Sequence, residues 1–227
     1  MSDYCAIPSI QFAMKRIQDP SSLGHGPRPY EHHVGSWAFT MLKTVFHGPE
    51  WIITPEKTDE NSRKRPDLVV EKFKDGKAEH YLFMELKASE GDRFEDAISQ
   101  VVDEIADTME EDIEGYVVVQ RGLKIGFFEY HNDVSNLDEE NIPHFKGCIS
   151  LTQDYKIGGK VTKVLSEPLP ADVDFLFHNH TKLRKVTENR DAAAEYKTPC
   201  IFDICKHQKV INLLFDHMVN KNPRSSV

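Results

Sequence analysis

The chain has 227 residues, of which 39% are hydrophobic and 10% are aromatic. This composition is typical of a globular protein with a packed core, and it excludes an intrinsically disordered chain. No apolar run approaches the roughly 20 residues of a membrane-spanning helix, and the N-terminus lacks the apolar core of a secretory signal. We therefore predict an intracellular protein, cytoplasmic or nuclear, with no membrane partner and with four cysteines that stay reduced.

The net charge of −9 argues by itself against a nucleic-acid-binding protein, but the charge is unevenly distributed. Residues 85–114 contain twelve acidic and two basic side chains, so this segment carries −10 and the rest of the chain about +1. The simplest interpretation of the acidic segment is the solvated face of one helix. Basic side chains cluster at Arg63, Lys64 and Arg65, so other parts of the molecule can still face phosphates.

Hydrophobic periodicity and turn residues predict alternating helices and strands. The predicted elements are, in chain order, helices over 7–17 and from residue 30 to a stop at 47–49, strands over 51–54, 67–73 and 79–86, a helix over 92–109, strands over 116–119, 123–130 and 149–151, a hairpin at 158–159, and a helix over 202–219. This order predicts an α/β fold, a mixed β-sheet flanked by helices. We expect one domain over 1–227, with a core over 30–130 and a C-terminal extension over 131–227 that packs on or beside it.

The hairpin between the second and third strands brings charged residues together. The Asp75-Gly76 pair is a strong signal for a tight turn, and it places Asp67 across from Met84 or Glu85. Lys87 lies two residues beyond Glu85 and so points to the same face. Two carboxylates this close repel each other unless a cation compensates for them, and Mg²⁺ or Mn²⁺ takes such oxygen ligands. Lys87 would then orient a water for attack on phosphorus and stabilise the transition state.

A third acidic residue begins the long second helix. Glu31 lies three and seven residues before Val34 and Ala38, which predicts that it shares their sheet-facing stripe. His32 and His33 follow it directly, and either could reach the same site, which would favour Mn²⁺. Each histidine is also compatible with an ordinary surface position.

A helix carrying Glu, Pro-Asp on a strand, a hairpin to Glu-x-Lys, then a helix and a strand resembles the PD-(D/E)xK nuclease superfamily. The resemblance covers residues 30–130 and implies a restriction-endonuclease-like core. It implies that Asp67, Glu85, the Leu86 carbonyl and Glu31 hold the metal, with Lys87 as the catalytic lysine and Glu31 as an assisting acid. The histidines beside Glu31 also resemble those of viral cap-snatching endonucleases, which makes His32 an optional further ligand. Gln100 falls where some branches of the superfamily carry a supporting polar residue.

Simpler interpretations exist for each of these residues. Asp67 can begin a strand after an exposed turn, because Pro-Asp is ordinary turn chemistry. Glu85 and Lys87 can lie at the exposed end of an edge strand, where charged side chains prevent unwanted pairing. Glu31 can be a helix N-terminal acid that interacts favourably with the helix dipole.

The sequence therefore predicts a Mg²⁺- or Mn²⁺-dependent nuclease that hydrolyses phosphodiester bonds, with DNA favoured over RNA as its partner. Arg63, Lys64 and Arg65 would contact the phosphates near the cleft. One alternative is an inactive nuclease-like interaction protein that binds a basic partner through its acidic helix. Another is a metal-dependent hydrolase of small phosphate esters, and a homodimer stays open as an oligomeric state.

Overall fold

The computed structural model describes residues 3–23, 31–55, 66–90, 93–108, 114–131, 147–153, 155–157, 160–177 and 197–223. Within these ranges, no helix is both long enough and apolar enough to cross a membrane. All four cysteines lie in the described ranges and none of them forms a disulfide. The basic residues Arg63, Lys64 and Arg65 lie outside the described residues.

The described residues form four α-helices, ten β-strands and two short 3₁₀ helices at Tyr4–Ala6 and Pro20–Leu23. The helices are α1 (Pro8–Gln18), α2 (Glu31–Val45), α3 (Phe94–Thr108) and α4 (Gln208–Asn220). The strands are β1 (Trp51–Pro55), β2 (Leu68–Lys74), β3 (Lys77–Lys87), β4 (Glu114–Arg121), β5 (Lys124–His131), β6 (Cys148–Ser150), β7 (Tyr155–Ile157), β8 (Lys160–Thr162), β9 (Asp174–Phe177) and β10 (Lys197–Asp203). The predicted α/β class is confirmed. Strands β7 and β8, on either side of the predicted hairpin at 158–159, pair antiparallel, and residues 158 and 159 themselves lie outside the described residues.

Eight of these strands form one mixed sheet in the order β1-β2-β3-β4-β5-β10-β9, and β6 also pairs with β5. Strand β3 runs parallel to β4, and the other neighbouring pairs are antiparallel. Helix α3 makes the crossover between the two parallel strands, which cannot be joined by a tight turn. The sheet is therefore mixed, as the sequence predicts.

A β-bulge in the β2–β3 hairpin sets its register. The turn at Asp75 and Gly76 has positive φ at both residues, 53° and 82°, as a two-residue hairpin turn requires. On the turn side of the bulge Glu71 pairs with His80, and on the far side Val70 pairs with Leu82. Tyr81 lies between His80 and Leu82 without a partner in β2, so it is an extra residue in β3. A bulge of this kind shifts the pairing by one residue and moves every later side chain relative to the partner strand.

Two apolar clusters cover the two faces of the sheet. On one face, Leu82 and Met84 of β3 pack in a cluster with side chains of α1, α2 and α4. On the other face, Phe83 packs in a cluster with the apolar side of α3. Because side chains alternate along a strand, Glu85 lies on the α3 face, while its neighbour Leu86 belongs to the α2 face.

The C-terminal part of the chain joins the same sheet and the same core. Strand β10 pairs with β5, and Leu214 and Phe215 of α4 belong to the cluster that contains α2. The prediction of a helix from residue 202 is wrong at its start, since Phe202 lies in β10 and α4 begins at Gln208. Asp203 ends the strand: its carboxylate accepts the N–H of Cys205 at 2.9 Å and so closes the turn before α4.

Two buried tyrosines hold the end of α4 against the sheet. The hydroxyl of Tyr81 lies 2.5 Å from the carbonyls of both Met218 and Lys221, so it can donate to either of them. The hydroxyl of Tyr116 donates to the Lys221 carbonyl at 3.1 Å. These bonds satisfy carbonyls that have no partner within the helix.

Candidate functional site

The register of the hairpin brings the first two predicted residues together. Leu68 pairs with Met84, and one further step along both strands places Asp67 opposite Glu85. If the register at the turn continued along both strands without the bulge, Asp67 would lie opposite Met84 instead. The Asp67 carboxylate accepts the backbone N–H of Leu86 at 2.7 Å, which fixes it at the end of β3.

Glu85 is a buried carboxyl in contact with a lysine. Its side chain is 1% exposed, and its Oε1 lies 2.6 Å from Nζ of Lys87, whose side chain is 16% exposed. Burial, followed by the charge of Asp67, raises the pKa of Glu85 to about 8, although the hydrogen bond from Lys87 acts in the opposite direction. The expectation that Glu85 and Lys87 share one face is met, and the alternative of an exposed strand end does not hold for Glu85.

Lys87 is fixed by its backbone as well as by its side chain. Its carbonyl accepts the N–H of Gly122 at 2.9 Å, from the turn between β4 and β5. Gly122 has φ of +56°, and a Cβ at that position would lie 2.8 Å from Cβ of Ser89. A glycine is therefore needed for this turn to close on the end of β3.

Glu31 lies at the same end of the sheet, but not as predicted. It is the first residue of α2 and it is exposed, so the expectation that it lies on the buried stripe is wrong. Helical side chains lean toward the N-terminus, so the side chain of the first residue extends past the end of α2, whereas Val34 on the same stripe is fully buried. Burial lowers the pKa of Lys87, but the hydrogen bond to Glu85 and then the charges of Glu85, Asp67 and Glu31 raise it overall, so Glu31 is near enough to act on the site.

The two histidines after Glu31 have different environments. His32 is exposed, whereas His33 is fully buried, so a surface position is wrong for His33. The two rings contact each other edge to face, with centroids 4.1 Å apart. His33 therefore lies on the buried side of α2, whereas His32 is accessible to solvent and solutes.

Sequence analysis missed one acidic residue of this site. Glu104 of α3 is only 2% exposed, and its charge is among those that raise the pKa of Glu85, after burial and Asp67. Gln100, one helical turn earlier, donates from Nε2 to Oε1 of Glu104 at 2.9 Å. The signal was available, because Glu104 lies three and seven residues after Val101 and Ala97, which are both buried.

The site thus has an excess of negative charge. Among the described residues, the carboxyl groups of Glu31, Asp67 and Glu85 act on the Lys87 ammonium, and Glu104 acts on Glu85. A buried carboxylate without a compensating charge is costly, so Glu85 must keep a proton or gain a cation. Carboxylate oxygens are also the donors that Mg²⁺ and Mn²⁺ prefer, so the chemistry of the donor set fits a divalent cation.

In the present arrangement of the side chains, the ligands that a metal ion would need are not grouped together. Within the described ranges, no three His, Cys, Asp or Glu side chains are grouped so that they could hold a metal ion. Glu85 is instead held by Lys87, and Asp67 by the Leu86 N–H. A divalent cation would have to bind through the second oxygen of each carboxylate or displace the present donors.

The sequence was compared with models of known protein families, with curated proteins and with solved structures, and none of the three comparisons gives a match. The pattern of Asp67, Glu85 and Lys87 therefore stays a resemblance to the PD-(D/E)xK superfamily.

Proposed function

We propose that this protein is a Mg²⁺- or Mn²⁺-dependent nuclease that hydrolyses phosphodiester bonds, with DNA as the favoured substrate. The observation that carries this proposal is the pairing of Asp67 opposite Glu85, with the Lys87 ammonium 2.6 Å from the buried Glu85 carboxyl. The order of α2, three antiparallel strands, α3 and a fourth strand parallel to the third also supports it. This is the order in which the resemblance places helix, strands and catalytic residues.

Asp67, Glu85 and the Leu86 carbonyl are the groups proposed to hold the metal ion, assisted by Glu31 and, as an optional ligand, His32. A divalent cation, when bound, supplies a Lewis acid for the phosphate and compensates for the excess negative charge. Because Glu85 gives up its proton to bind a cation, metal affinity is expected to rise with pH up to about 8.

Lys87 has two tasks in the proposed reaction. Its ammonium can donate a hydrogen bond to the attacking water and so orient it toward phosphorus. The same charge stabilises the additional negative charge that develops on the phosphate in the transition state. The turn at Gly122 holds the Lys87 backbone in place while the side chain performs these tasks.

The decisive experiment uses labelled single- and double-stranded DNA and RNA with Mn²⁺, Mg²⁺ or EDTA. Wild-type protein is expected to cleave DNA in the presence of metal, and Lys87→Ala is expected to lose about 10²–10⁴-fold in rate, the usual contribution of such a group. Lys77→Ala is the matched control, because Lys77 is an exposed lysine of the same strand. Cleavage that survives in Lys87→Ala or in EDTA would contradict the proposal.

An interaction protein with an acidic surface is a second candidate, and one observation favours it. Asp96 and Asp103 of α3 are exposed, so part of the acidic segment is presented to solvent. This candidate predicts no cleavage of any substrate and no thermal shift on addition of Mn²⁺. A hydrolase of small phosphate esters is distinguished by salt, since only cleavage of a polymer is expected to weaken steeply as salt increases.

A further inference from the structure

The sheet edge that carries Lys87 continues beyond the proposed site as a row of charged residues. Lys87 of β3 is the register partner of Arg121 in β4, and Arg121 is in turn the partner of Lys124 in β5. Lys124 is also the partner of Asp203, the last residue of β10. Neighbouring strands lie about 4.8 Å apart, so the Cα atoms of Lys87 and Lys124 are separated by about 10 Å. Three cationic residues therefore lie side by side on three consecutive strands.

The row lies on the face of the sheet that also carries Glu85. Val119 of β4 packs in the cluster with α3, and Arg121 lies two residues further along the same strand. Phe128 of β5 belongs to the same cluster, and Lys124 lies four residues before it. Residues two or four positions apart in a strand share a face. The row therefore begins at the proposed site and crosses the sheet without changing face.

The part of the row at β5 and β10 is open to solvent. Nζ of Lys124 lies 2.9 Å from Oδ2 of Asp174 and 3.7 Å from Oδ2 of Asp203. The side chains of Lys124 and Asp174 are 38% and 56% exposed, so their ion pair has a small net effect and a phosphate can replace Asp174. Lys206 adds an exposed cation at the same edge, where its N–H donates to Oδ1 of Asp203 at 3.2 Å.

We propose that Arg121, Lys124 and Lys206 bind the phosphate backbone of the nucleic-acid substrate, which then lies across the ends of β4, β5 and β10. Each strand of a DNA duplex carries one phosphate charge about every 3.4 Å along the axis, so a row of cations about 10 Å long spans several phosphates. Contacts of this kind hold the polymer in register without reading its sequence. This inference rests on the proposed nuclease function and names the surface that holds its substrate.

The test measures the binding of a fluorescent DNA duplex by anisotropy over a series of salt concentrations, in EDTA so that no metal-dependent cleavage occurs. The double variant Arg121→Gln with Lys124→Gln is expected to bind about 10-fold more weakly at low salt. Its slope of log affinity against log salt concentration is expected to fall by about 2, close to one for each lost phosphate contact. Lys77→Gln is the matched control, because Lys77 is an exposed lysine at the opposite end of β3, and it is expected to change neither quantity.

A variant with the opposite expected effect separates phosphate binding from damage to the fold. Asp174→Asn removes the carboxylate that competes for the Lys124 ammonium at 2.9 Å. It is expected to tighten DNA binding about 2- to 4-fold, the scale of an exposed ion pair, which a damaged protein would not do. Tighter binding by Asp174→Asn together with weaker binding by the double variant supports the proposed surface. Unchanged affinity and salt slope in the double variant overturn it.

The failure of this inference is distinguishable from failure of the proposed function, because binding is measured in EDTA and cleavage with Mn²⁺. If wild type binds and cleaves DNA while the double variant binds it equally well, only the phosphate-binding surface is overturned. If wild type binds DNA through this surface but cleaves nothing with Mn²⁺, the nuclease falls and the surface stands. If poly-glutamate displaces the DNA at equal charge concentration, the surface binds acidic chains in general and its assignment to nucleic acid is overturned.

Discussion

Two lysine–glutamate contacts in this protein have the same length and different surroundings. Lys87 and Glu85 lie 2.6 Å apart at the end of β3, with side-chain exposures of 16% and 1%. Lys209 of α4 and Glu167 also lie 2.6 Å apart, with exposures of 62% and 56%. The exposed contact is an ordinary surface ion pair of small net effect. The buried contact joins an ammonium to a carboxyl that keeps its proton up to about pH 8.

Distance alone therefore does not determine what a charged contact does. The exposed pair contains one charge of each sign, and water solvates both of them. Glu85 instead has Asp67 and Glu104 near it in addition to Lys87, and no bulk water. One ammonium does not balance several carboxylates, and the remaining imbalance is what a divalent cation could relieve.

The largest expected difference between the two regions is in the pH dependence of stability. The folded pKa of Glu85 is raised above that of the unfolded chain, so the folded state binds more protons between pH 4.5 and 8. The contribution of this group to the free energy of unfolding then falls as pH rises, by at most about 1.4 kcal/mol per pH unit. The raised pKa of Lys87 acts only at higher pH, outside this window.

Urea unfolding of wild type and Glu85→Gln at pH 4.5, 6 and 8 measures this contribution. The variant is expected to gain stability relative to wild type as pH rises. Glu167→Gln makes the same change at an exposed carboxyl, and its difference from wild type is expected to stay flat. A flat difference for Glu85→Gln as well would show that Glu85 ionises normally.

The second expected effect follows removal of the buried ammonium. Lys87→Met is expected to lower the free energy of unfolding by about 2 kcal/mol at pH 7, the usual value for a lost hydrogen bond from a charged donor. The double variant Glu85→Gln with Lys87→Met is expected to recover part of this loss, because no buried carboxyl then lacks its donor. Chemical denaturation of the four proteins of this cycle measures the coupling, and additive losses would contradict it.

The third expected effect concerns the turn that supports Lys87. Gly122→Ala is expected to cost about 1–2 kcal/mol, because φ is +56° there and the new Cβ would lie 2.8 Å from Cβ of Ser89. Gly76→Ala is a matched control, since Gly76 also has positive φ but no atom within 4 Å of the added Cβ. Thermal unfolding should therefore show the larger loss for Gly122→Ala, and the reverse order would contradict the proposed contact.

The smallest expected effect is that of the exposed pair. Lys209→Met is expected to change the free energy of unfolding by less than about 0.5 kcal/mol, and the change should shrink further in high salt. The measurement is urea unfolding in low and high salt. A loss as large as that of Lys87→Met would remove the distinction between the two contacts.

The sequence predicts the local parts of this site well. The Asp75-Gly76 pair was sufficient to predict the hairpin, because few other residues accept positive φ at two successive positions. The shared face of Glu85 and Lys87 follows from the two-residue period of a strand. These predictions depend only on residues close together in the chain.

The features of the fold and of the site that the sequence did not predict depend on tertiary structure. The bulge at Tyr81 has no sequence signal of its own, since it arises where the aromatic ring packs against Trp51, with centroids 4.8 Å apart. The periodicity of α2 could not show that Glu31, as the first residue of the helix, is exposed. Strand β10 was not predicted; it contains Pro199, a residue that is unfavourable inside a strand, and a register shift next to it accommodates the proline. The inward direction of Glu104 was visible in the periodicity but was hidden by its many acidic neighbours.

The extra residue in β3 also determines how this hairpin can be changed. The strand consists of two halves that differ by one residue in phase, so a hairpin of the same length that closed without the bulge would place Met84, and not Glu85, opposite Asp67. Glu85 and Lys87 would then point to the opposite face of the sheet from Asp67. Deletion of Tyr81 would instead restore regular pairing and leave Asp67 opposite Glu85, so the bulge is needed only while β3 keeps its present length.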